Sequence, residues 1–460
     1  MKKILALLVM LVWLIPSTVT SKTIISTDSA KEISITIYND NTAFISEAYL
    51  LRLSRKKGEI QINGLPDGIA SSSINILAPE SVEITEQSFY PSNFSKEEVL
   101  QRYINREIKL VLWDRNNLKK IYQRARLLGS RGQYYFEING EIYLNHPGTI
   151  VLPKIPGGVY ENGRLRLKYR TDKARKIVLR IGYDLIGLNW SSTCMLTLLN
   201  EELAYLKCLA TIQNNTDRAF KNASLRLVAG KLHRASQQPE RVFALAVKEK
   251  SAAPTERPLY EYHEYRINRP VTLKERETKT LLLFEANNIR VEKSYIIKNN
   301  LFYPSAYNSS ANLPVKVILK IKNRPDNNLG YVFPAGKVRV YSLRSDASMV
   351  FSGSDTIDHT PRGEEILITT GWAFDIKARR RQVDYIRIGP NTFEGTYEIT
   401  ITNHKSRDIK VKVIETLQGQ WSIIESSHAY KKIDATHIEF NPLVPARETV
   451  KIVYKIRTKL

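Results

Sequence analysis

Apolar and polar residues alternate in short segments along almost the whole chain, and long helical stripes are nearly absent. Clear examples are residues 33–38, 43–51, 315–321 and 397–402. Because successive side chains of a β-strand point to opposite faces, this period of two predicts half-buried strands. Many short strands separated by Gly, Asn and Pro turns predict an all-β protein built from tandem antiparallel β-sandwiches.

The 460 residues exceed the size of one ordinary domain, so we expect two or three folded units. The predicted units are an N-terminal β domain over residues 22–175, a sandwich over 176–300 and a C-terminal sandwich over 301–460. Residues 235–260 carry several Pro, Gln and Ala residues and predict a flexible excursion within the second unit. One short helix is expected after Ser95 as N-cap, with Glu98 three residues later, running to about Asn105. The very short strands predicted over residues 108–155 suggest a small barrel inserted after this helix.

The first 21 residues have the pattern of a secretory signal peptide. Lys2 and Lys3 precede an apolar run over residues 4–15, and Pro16 ends that run before the small residues 19–21. We predict cleavage after Ser21. An uncleaved membrane anchor is the alternative, but it needs about 20 apolar residues. No later apolar run is that long, so we expect an exported protein of the periplasm or cell surface without a transmembrane segment in the mature chain.

The two cysteines of the chain are Cys194 and Cys208. Each lies in an alternating segment, and the two positions are symmetric about a polar turn at Asn200-Glu201-Glu202. A tight turn there places the cysteines opposite each other, which predicts a disulfide in an exported protein. Two buried free thiols are the alternative.

The chain is strongly basic, with 69 Lys and Arg against 46 Asp and Glu, a formal net charge of +23. Part of this charge is patterned, because the cations Arg164, Arg166, Lys168 and Arg170 alternate with Leu165, Leu167 and Tyr169. A strand with this sequence carries four cations on one face, and we predict an anion-binding site there. Candidate partners are anionic envelope polysaccharide, lipid head groups or a protein, whereas a solvated strand face is the alternative. Export and the lack of any nucleic-acid-binding motif argue against nucleic acid.

Many residues after about Gly182 form a recognisable set of short motifs. They include Tyr183, Leu188-Asn189-Trp190, Leu227-Val228-Ala229-Gly230, Leu329-Gly330, Pro334-Ala335-Gly336, Gly353, Asp355, His359-Thr360-Pro361, Glu364, Gly371 and Ala373-Phe374-Asp375. These motifs resemble the bacterial domain-of-unknown-function family 4139, which includes mucoidy inhibitor A-like secreted proteins, and the resemblance covers most of the chain after about Gly182. The resemblance implies a secreted or envelope-associated protein made of β-sandwiches and a link to exopolysaccharide, without an agreed activity.

The sequence contains none of the common catalytic or phosphate-binding motifs, and its seven histidines are scattered. The candidate catalytic residues are His359, Glu364 and Asp375, because an imidazole among carboxylates can act as a general base. The same segment also suits a structural network, in which Asp355 and Asp358 bind turn amides and His359 bridges two loops. We expect no metal and no cofactor. Two functions remain open, a non-catalytic envelope protein that binds or organises a surface polymer or protein partner, and an enzyme acting on envelope or extracellular polysaccharide.

Overall fold

The computed structural model describes residues 21–92, 95–114, 119–130, 133–154, 162–230, 256–259, 262–299 and 310–459. The predicted signal peptide lies outside these residues except for Ser21, and so does the predicted excursion except for residues 256–259. Strands dominate, which confirms the all-β prediction, and no sheet formed by these residues closes into a barrel.

The strands and the helix are numbered in chain order. Those of the first half are β1 (Ser21–Ser26), β2 (Glu32–Ile37), β3 (Thr42–Leu53), β4 (Lys57–Leu65), β5 (Asn75–Leu77), β6 (Val82–Tyr90), helix α1 (Lys96–Gln101), β7 (Glu107–Asp114), β8 (Lys119–Ser130), β9 (Gln133–Ile138), β10 (Glu141–Tyr143), β11 (Thr149–Val151), β12 (Gly163–Thr171), β13 (Arg175–Ile186), β14 (Leu188–Leu198), β15 (Leu203–Asn214) and β16 (Phe220–Ala229). Those of the second half are β17 (Glu256–Leu259), β18 (Tyr262–Leu273), β19 (Thr278–Arg290), β20 (Glu292–Asn299), β21 (Ser310–Leu313), β22 (Val315–Lys322), β23 (Gly336–Leu343), β24 (Met349–Ile357), β25 (Glu365–Trp372), β26 (Ile376–Gly389), β27 (Thr392–Asn403), β28 (Ile409–Thr416), β29 (Gln420–Ser426), β30 (Tyr430–Lys432), β31 (His437–Phe440), β32 (Leu443–Val444) and β33 (Thr449–Lys459). Short 3-10 turns occur at Thr27–Ser29, Ser71–Ser73 and Pro325–Asn327.

The first sandwich packs a four-stranded sheet on a seven-stranded one. Sheet A has the order β1-β4-β12-β6, and sheet B has the order β17-β18-β16-β2-β3-β13-β5. Their facing side chains form one core, to which sheet A contributes residues such as Ile60, Leu165 and Leu167. Trp190 is buried in this core, and its indole N–H donates to the Val228 carbonyl at 3.0 Å.

A small unit is inserted between β6 and β12. Helix α1 begins after Ser95, whose Oγ accepts a hydrogen bond from the Glu98 amide at 3.1 Å, as the capping pattern predicts. The helix ends at Gln101, earlier than expected. Sheet C follows, in the order β10-β9-β8-β7-β11, and its two edge strands do not pair with each other in the described segments 95–114, 119–130 and 133–154. The barrel prediction for this region is therefore wrong, because β10 and β11 are three-residue edge strands that pair on one side only.

The remaining strands form two further sandwiches that share a sheet. Sheet D has the order β19-β15-β14-β23-β24, and sheet F has the order β21-β26-β27-β33-β29. Between them lies sheet E, in the order β25-β22-β20-β28-β31-β30 with β32 beside β28. The β22 and β25 end of sheet E packs on sheet D, whereas β20, β28 and β31 pack on sheet F.

Cys194 and Cys208 are direct partners on β14 and β15, and they form a disulfide. Both are buried in the core between sheets D and E. The predicted bond is confirmed.

Two sheets join segments from both sides of the predicted boundaries at residues 175 and 300. Strand β13, which begins at Arg175, pairs with β3 along twelve residues, so sheet B joins segments on both sides of the first boundary. Strand β20 lies before residue 300 but pairs with β22 and β28, which lie after it, so sheet E crosses the second predicted boundary. No helix among the described residues is long and apolar enough to span a membrane.

Candidate functional site

The cations of the alternating segment lie on the outer face of sheet A. Strand β12 is an inner strand of this sheet, between β4 and β6. Leu165, Leu167 and Tyr169 point into the core, so the alternating cations face solvent. Alternate residues of a strand are about 6.6 Å apart, and the row from Arg164 to Arg170 therefore spans about 20 Å.

Neighbouring strands add charged groups to the same face. Lys22 of β1 is the register partner of Glu59 on β4, and Glu59 in turn is the partner of Lys168. Lys57 of β4 is the partner of Arg170. Together with the β12 cations these residues form the sheet A face, which we define by its six cations Lys22, Lys57, Arg164, Arg166, Lys168 and Arg170.

A pocket of about 420 Å³ opens on this face. Its lining consists of Lys22, Lys57, Gly58, Glu59, Thr85, Arg166, Lys168, Tyr169 and Arg170. Five of the six face cations therefore surround one cavity. Gly58 keeps the strands close here, because a Cβ at this position would lie 2.6 Å from the Ser21 carbonyl oxygen.

Among the described residues, three carboxylates pair with four of these cations. Glu59 is only 18% exposed and lies 3.4 Å from Lys22 Nζ and 3.3 Å from Arg166 Nε. Glu86 pairs with Lys168 at 2.7 Å, and Glu83 pairs with Arg170 at 3.8 Å. Within the part of the chain that the structure describes, six cations against three carboxylates leave the face with a positive surplus.

An aromatic ring lies at one end of the row. Tyr90 on β6 is exposed, and the guanidinium carbons of Arg164 and Arg166 lie 5.6 and 5.1 Å from its ring centroid. Such cation–π contacts orient the two side chains over the sheet.

The candidate catalytic residues lie elsewhere. His359 follows β24, and its Nδ1 accepts a hydrogen bond from the Ala335 amide at 3.0 Å. Burial lowers the pKa of His359, and nearby His263 lowers it further. Asp355 Oδ2 accepts from the Thr369 amide at 2.7 Å and so joins β24 to β25 across two sheets. These contacts tie a loop and two strands together, although Asp355 binds strand amides rather than the turn amides that were expected.

Glu364 and Asp375 stand at opposite ends of β25. This strand has eight residues and is therefore about 26 Å long, so the two carboxylates do not meet. Asp375 Oδ2 instead pairs with Lys405 Nζ at 3.1 Å. Among the described residues, no group of three or more His, Cys, Asp or Glu side chains is placed to hold a metal ion.

Two buried ionic networks lie within the sandwich cores. In the first sandwich, the fully buried Glu47 pairs with Arg218 and accepts a hydrogen bond from Tyr49 at 2.8 Å. In the third, the fully buried Glu415 accepts from Arg380 Nε at 2.9 Å and from Tyr454 at 2.7 Å. Burial raises the pKa of Tyr454 well above its usual value, so the phenol stays protonated as a donor. Both carboxylates are used inside the cores, and neither faces the pocket.

No protein-family description matches the chain, and no curated protein is significantly similar to it.

Proposed function

We propose that this protein is an exported, non-catalytic binding protein of the cell envelope, and that it holds an anionic polysaccharide on the sheet A face. The observation that best supports the proposal is that cations of the alternating row line the pocket. Lys22, Lys57, Arg166, Lys168 and Arg170 reach the same cavity from three strands. Such a convergence of like charges attracts an anion, because each cation adds to the same local potential.

The shape of the site supports an extended polymer as the ligand. Cations about 6.6 Å apart along β12 form a row rather than a single cluster, so successive anionic groups of one chain can each meet a cation. Glu59 adds an acceptor beside Lys22 and Arg166 for a sugar hydroxyl, which a uronic acid polymer supplies together with its carboxylates. Tyr90 offers a partly exposed ring at the end of the row.

Export and membership of the mucoidy inhibitor A-like family remain part of this proposal. The signal-like first 21 residues and the disulfide Cys194–Cys208 support an oxidising compartment. The resemblance to family 4139 supports exopolysaccharide as the polymer class.

The test is binding of polygalacturonate, a generic polyuronate, to the wild type and to the double variant Arg166→Ser with Arg170→Ser. We expect the variant to bind at least about tenfold more weakly, because hydrogen bonds to charged groups contribute about 1.5 to 3 kcal/mol each and solvent screening reduces that at a surface. The matched control is Arg124→Ser with Lys221→Ser, which removes two exposed cations away from this face.

Unchanged affinity in the Arg166 and Arg170 variant contradicts the proposed site. Shortening of the polymer by the wild-type protein contradicts the non-catalytic function and supports the enzymatic alternative. Binding to anionic vesicles but not to polyuronate identifies lipid head groups as the partner instead.

A further inference from the structure

The outer face of sheet F has the same construction as the sheet A face. Strand β26 alternates buried and exposed residues from Ile376 to Val383, and β33 alternates from Thr449 onward. Their outward positions carry a second set of cations on a separate sandwich. This sheet F face is defined by seven cations, Lys377, Arg379, Arg381, Lys451, Lys455, Arg457 and Lys459.

Four carboxylates share the sheet F face among the described residues, Asp384, Glu394, Glu398 and Glu425. Seven cations therefore exceed four acids, and the face keeps a positive surplus.

Two of these acidic side chains are mostly buried between cations, as Glu59 is in sheet A. Glu394 is 12% exposed and pairs with Lys455 at 2.9 Å and with Arg457 at 2.6 Å. Glu398 is 17% exposed and lies 3.2 Å from Arg381 and 3.8 Å from Lys451. Each carboxylate positions two cations but balances the charge of only one. Each group of two cations and one carboxylate therefore keeps a net positive charge.

Hydroxyl and aromatic groups complete the sheet F face. Thr396, Thr400 and Thr402 alternate along β27 on the outward side, and the hydroxyls of Thr402 and Thr449 lie 3.0 Å apart. Beside the start of β26, Phe374 is 84% exposed, and Lys377 Nζ lies 4.9 Å from its ring centroid. A sugar polymer can use all three kinds of group, because it offers hydroxyls, ring faces and anionic substituents.

We propose that the sheet F face is a second binding site for an anionic polysaccharide, so that one molecule holds two polymer segments. The inference rests on the proposed function for the class of ligand, but its residues are independent of the sheet A face. Sheet A belongs to the first sandwich and sheet F to the third, and the second sandwich lies between them. A molecule with two such sites can cross-link polymer chains. When both sites bind the same polymer, the second binding event is favoured by a high effective concentration.

The experiment is calorimetric titration of the full chain with a short galacturonate oligomer. We expect two bound oligomers for the wild type, one for Lys451→Ser with Arg457→Ser, one for Arg166→Ser with Arg170→Ser, and none for the fourfold variant. The Arg124→Ser and Lys221→Ser control should still bind two. Long polygalacturonate should become turbid with the wild type and stay clear with either double variant, because cross-linking needs both faces.

The outcomes separate this inference from the proposed function. A single bound oligomer that only the Arg166 and Arg170 variant loses overturns the second site and leaves the sheet A site standing. A single oligomer that only the Lys451 and Arg457 variant loses overturns the sheet A site and keeps the sheet F face. No binding by the wild type overturns both. Circular dichroism and melting curves of each variant show that the fold is retained.

Discussion

At the scale of single residues, the hydrogen bond made by His359 indicates a structural role for this side chain. Its Nδ1 accepts the Ala335 amide, so that nitrogen carries no proton, and the imidazole joins the loop before β23 to the loop after β24. Thr360 exchanges two backbone hydrogen bonds with Phe333 beside it, at 3.0 and 2.9 Å. The imidazole therefore reinforces an existing bridge between two loops.

We expect His359→Ala to lower the free energy of unfolding by about 1 kcal/mol at pH 7.5, the usual net worth of one hydrogen bond. Burial holds the pKa of His359 below its unfolded value of about 6.5. The stabilisation by the neutral ring is therefore present above pH 6.5 and is lost as pH falls through the lower folded pKa. Urea unfolding at pH 7.5 and pH 5 should show a smaller difference between wild type and variant at pH 5.

An equal difference at both pH values contradicts this role, since the hydrogen bond needs the neutral ring. His404→Ala is the control, because that side chain is exposed.

At the scale of the elements, the crossing of β24 over β25 depends on Gly353. Its φ is +137°, and a Cβ there would lie 2.2 Å from the Thr370 carbonyl oxygen. Asp355, two residues later, binds the Thr369 amide at the same crossing. The two sheets of the second sandwich are therefore in backbone contact at this corner.

Gly353→Ala should lower the free energy of unfolding by about 3 kcal/mol, because the methyl group overpacks the crossing and strains the backbone. Gly363→Ala is the matched control, since Gly363 also has a positive φ of +89° but no atom within 4 Å of the added Cβ. That control should lose only about 1 kcal/mol. Equal losses in thermal or urea unfolding would show that the crossing contributes nothing beyond the backbone strain.

The elements also show what a sequence can and cannot predict. The strands, the disulfide partners and the outward row on β12 follow from a period of two, which is local. The residues that line the pocket cannot be predicted from local sequence, because Lys22 and Glu59 lie beside Lys168 only when β1, β4 and β12 pair. Lys57 stands out in sequence as part of the cluster Arg55-Lys56-Lys57, whereas nothing in the sequence links Lys22 or Glu59 to β12.

Strand pairing across the predicted boundaries at residues 175 and 300 is non-local in the same way. A boundary near Arg175 looks plausible along the chain, yet β13 must bury its apolar face by pairing with β3, more than 120 residues away. Likewise, β20 completes sheet E only beside β22 and β28. Non-local pairing of this kind leaves no mark in the alternation itself.

At the scale of the whole molecule, three sandwiches place two basic faces on different units of one chain. The first sandwich carries the sheet A face and the third carries the sheet F face. Among the described residues, cations outnumber carboxylates on each face, six to three on sheet A and seven to four on sheet F, so both faces keep a positive surplus. A molecule with this distribution attracts a polyanion over distances of about the Debye length, about 10 Å at 0.1 M salt.

The most direct test of this account is the salt dependence of polygalacturonate binding. Binding through the sheet A face predicts that the association constant of the wild type falls by at least about tenfold between 50 and 300 mM NaCl, because screening and counterion release both weaken contacts between exposed charges. The Arg166→Ser and Arg170→Ser variant should show a shallower dependence as well as weaker binding. Wild-type binding that does not change with salt, or a variant with the same dependence as the wild type, would contradict the central claim that the cation row on β12 binds the polymer.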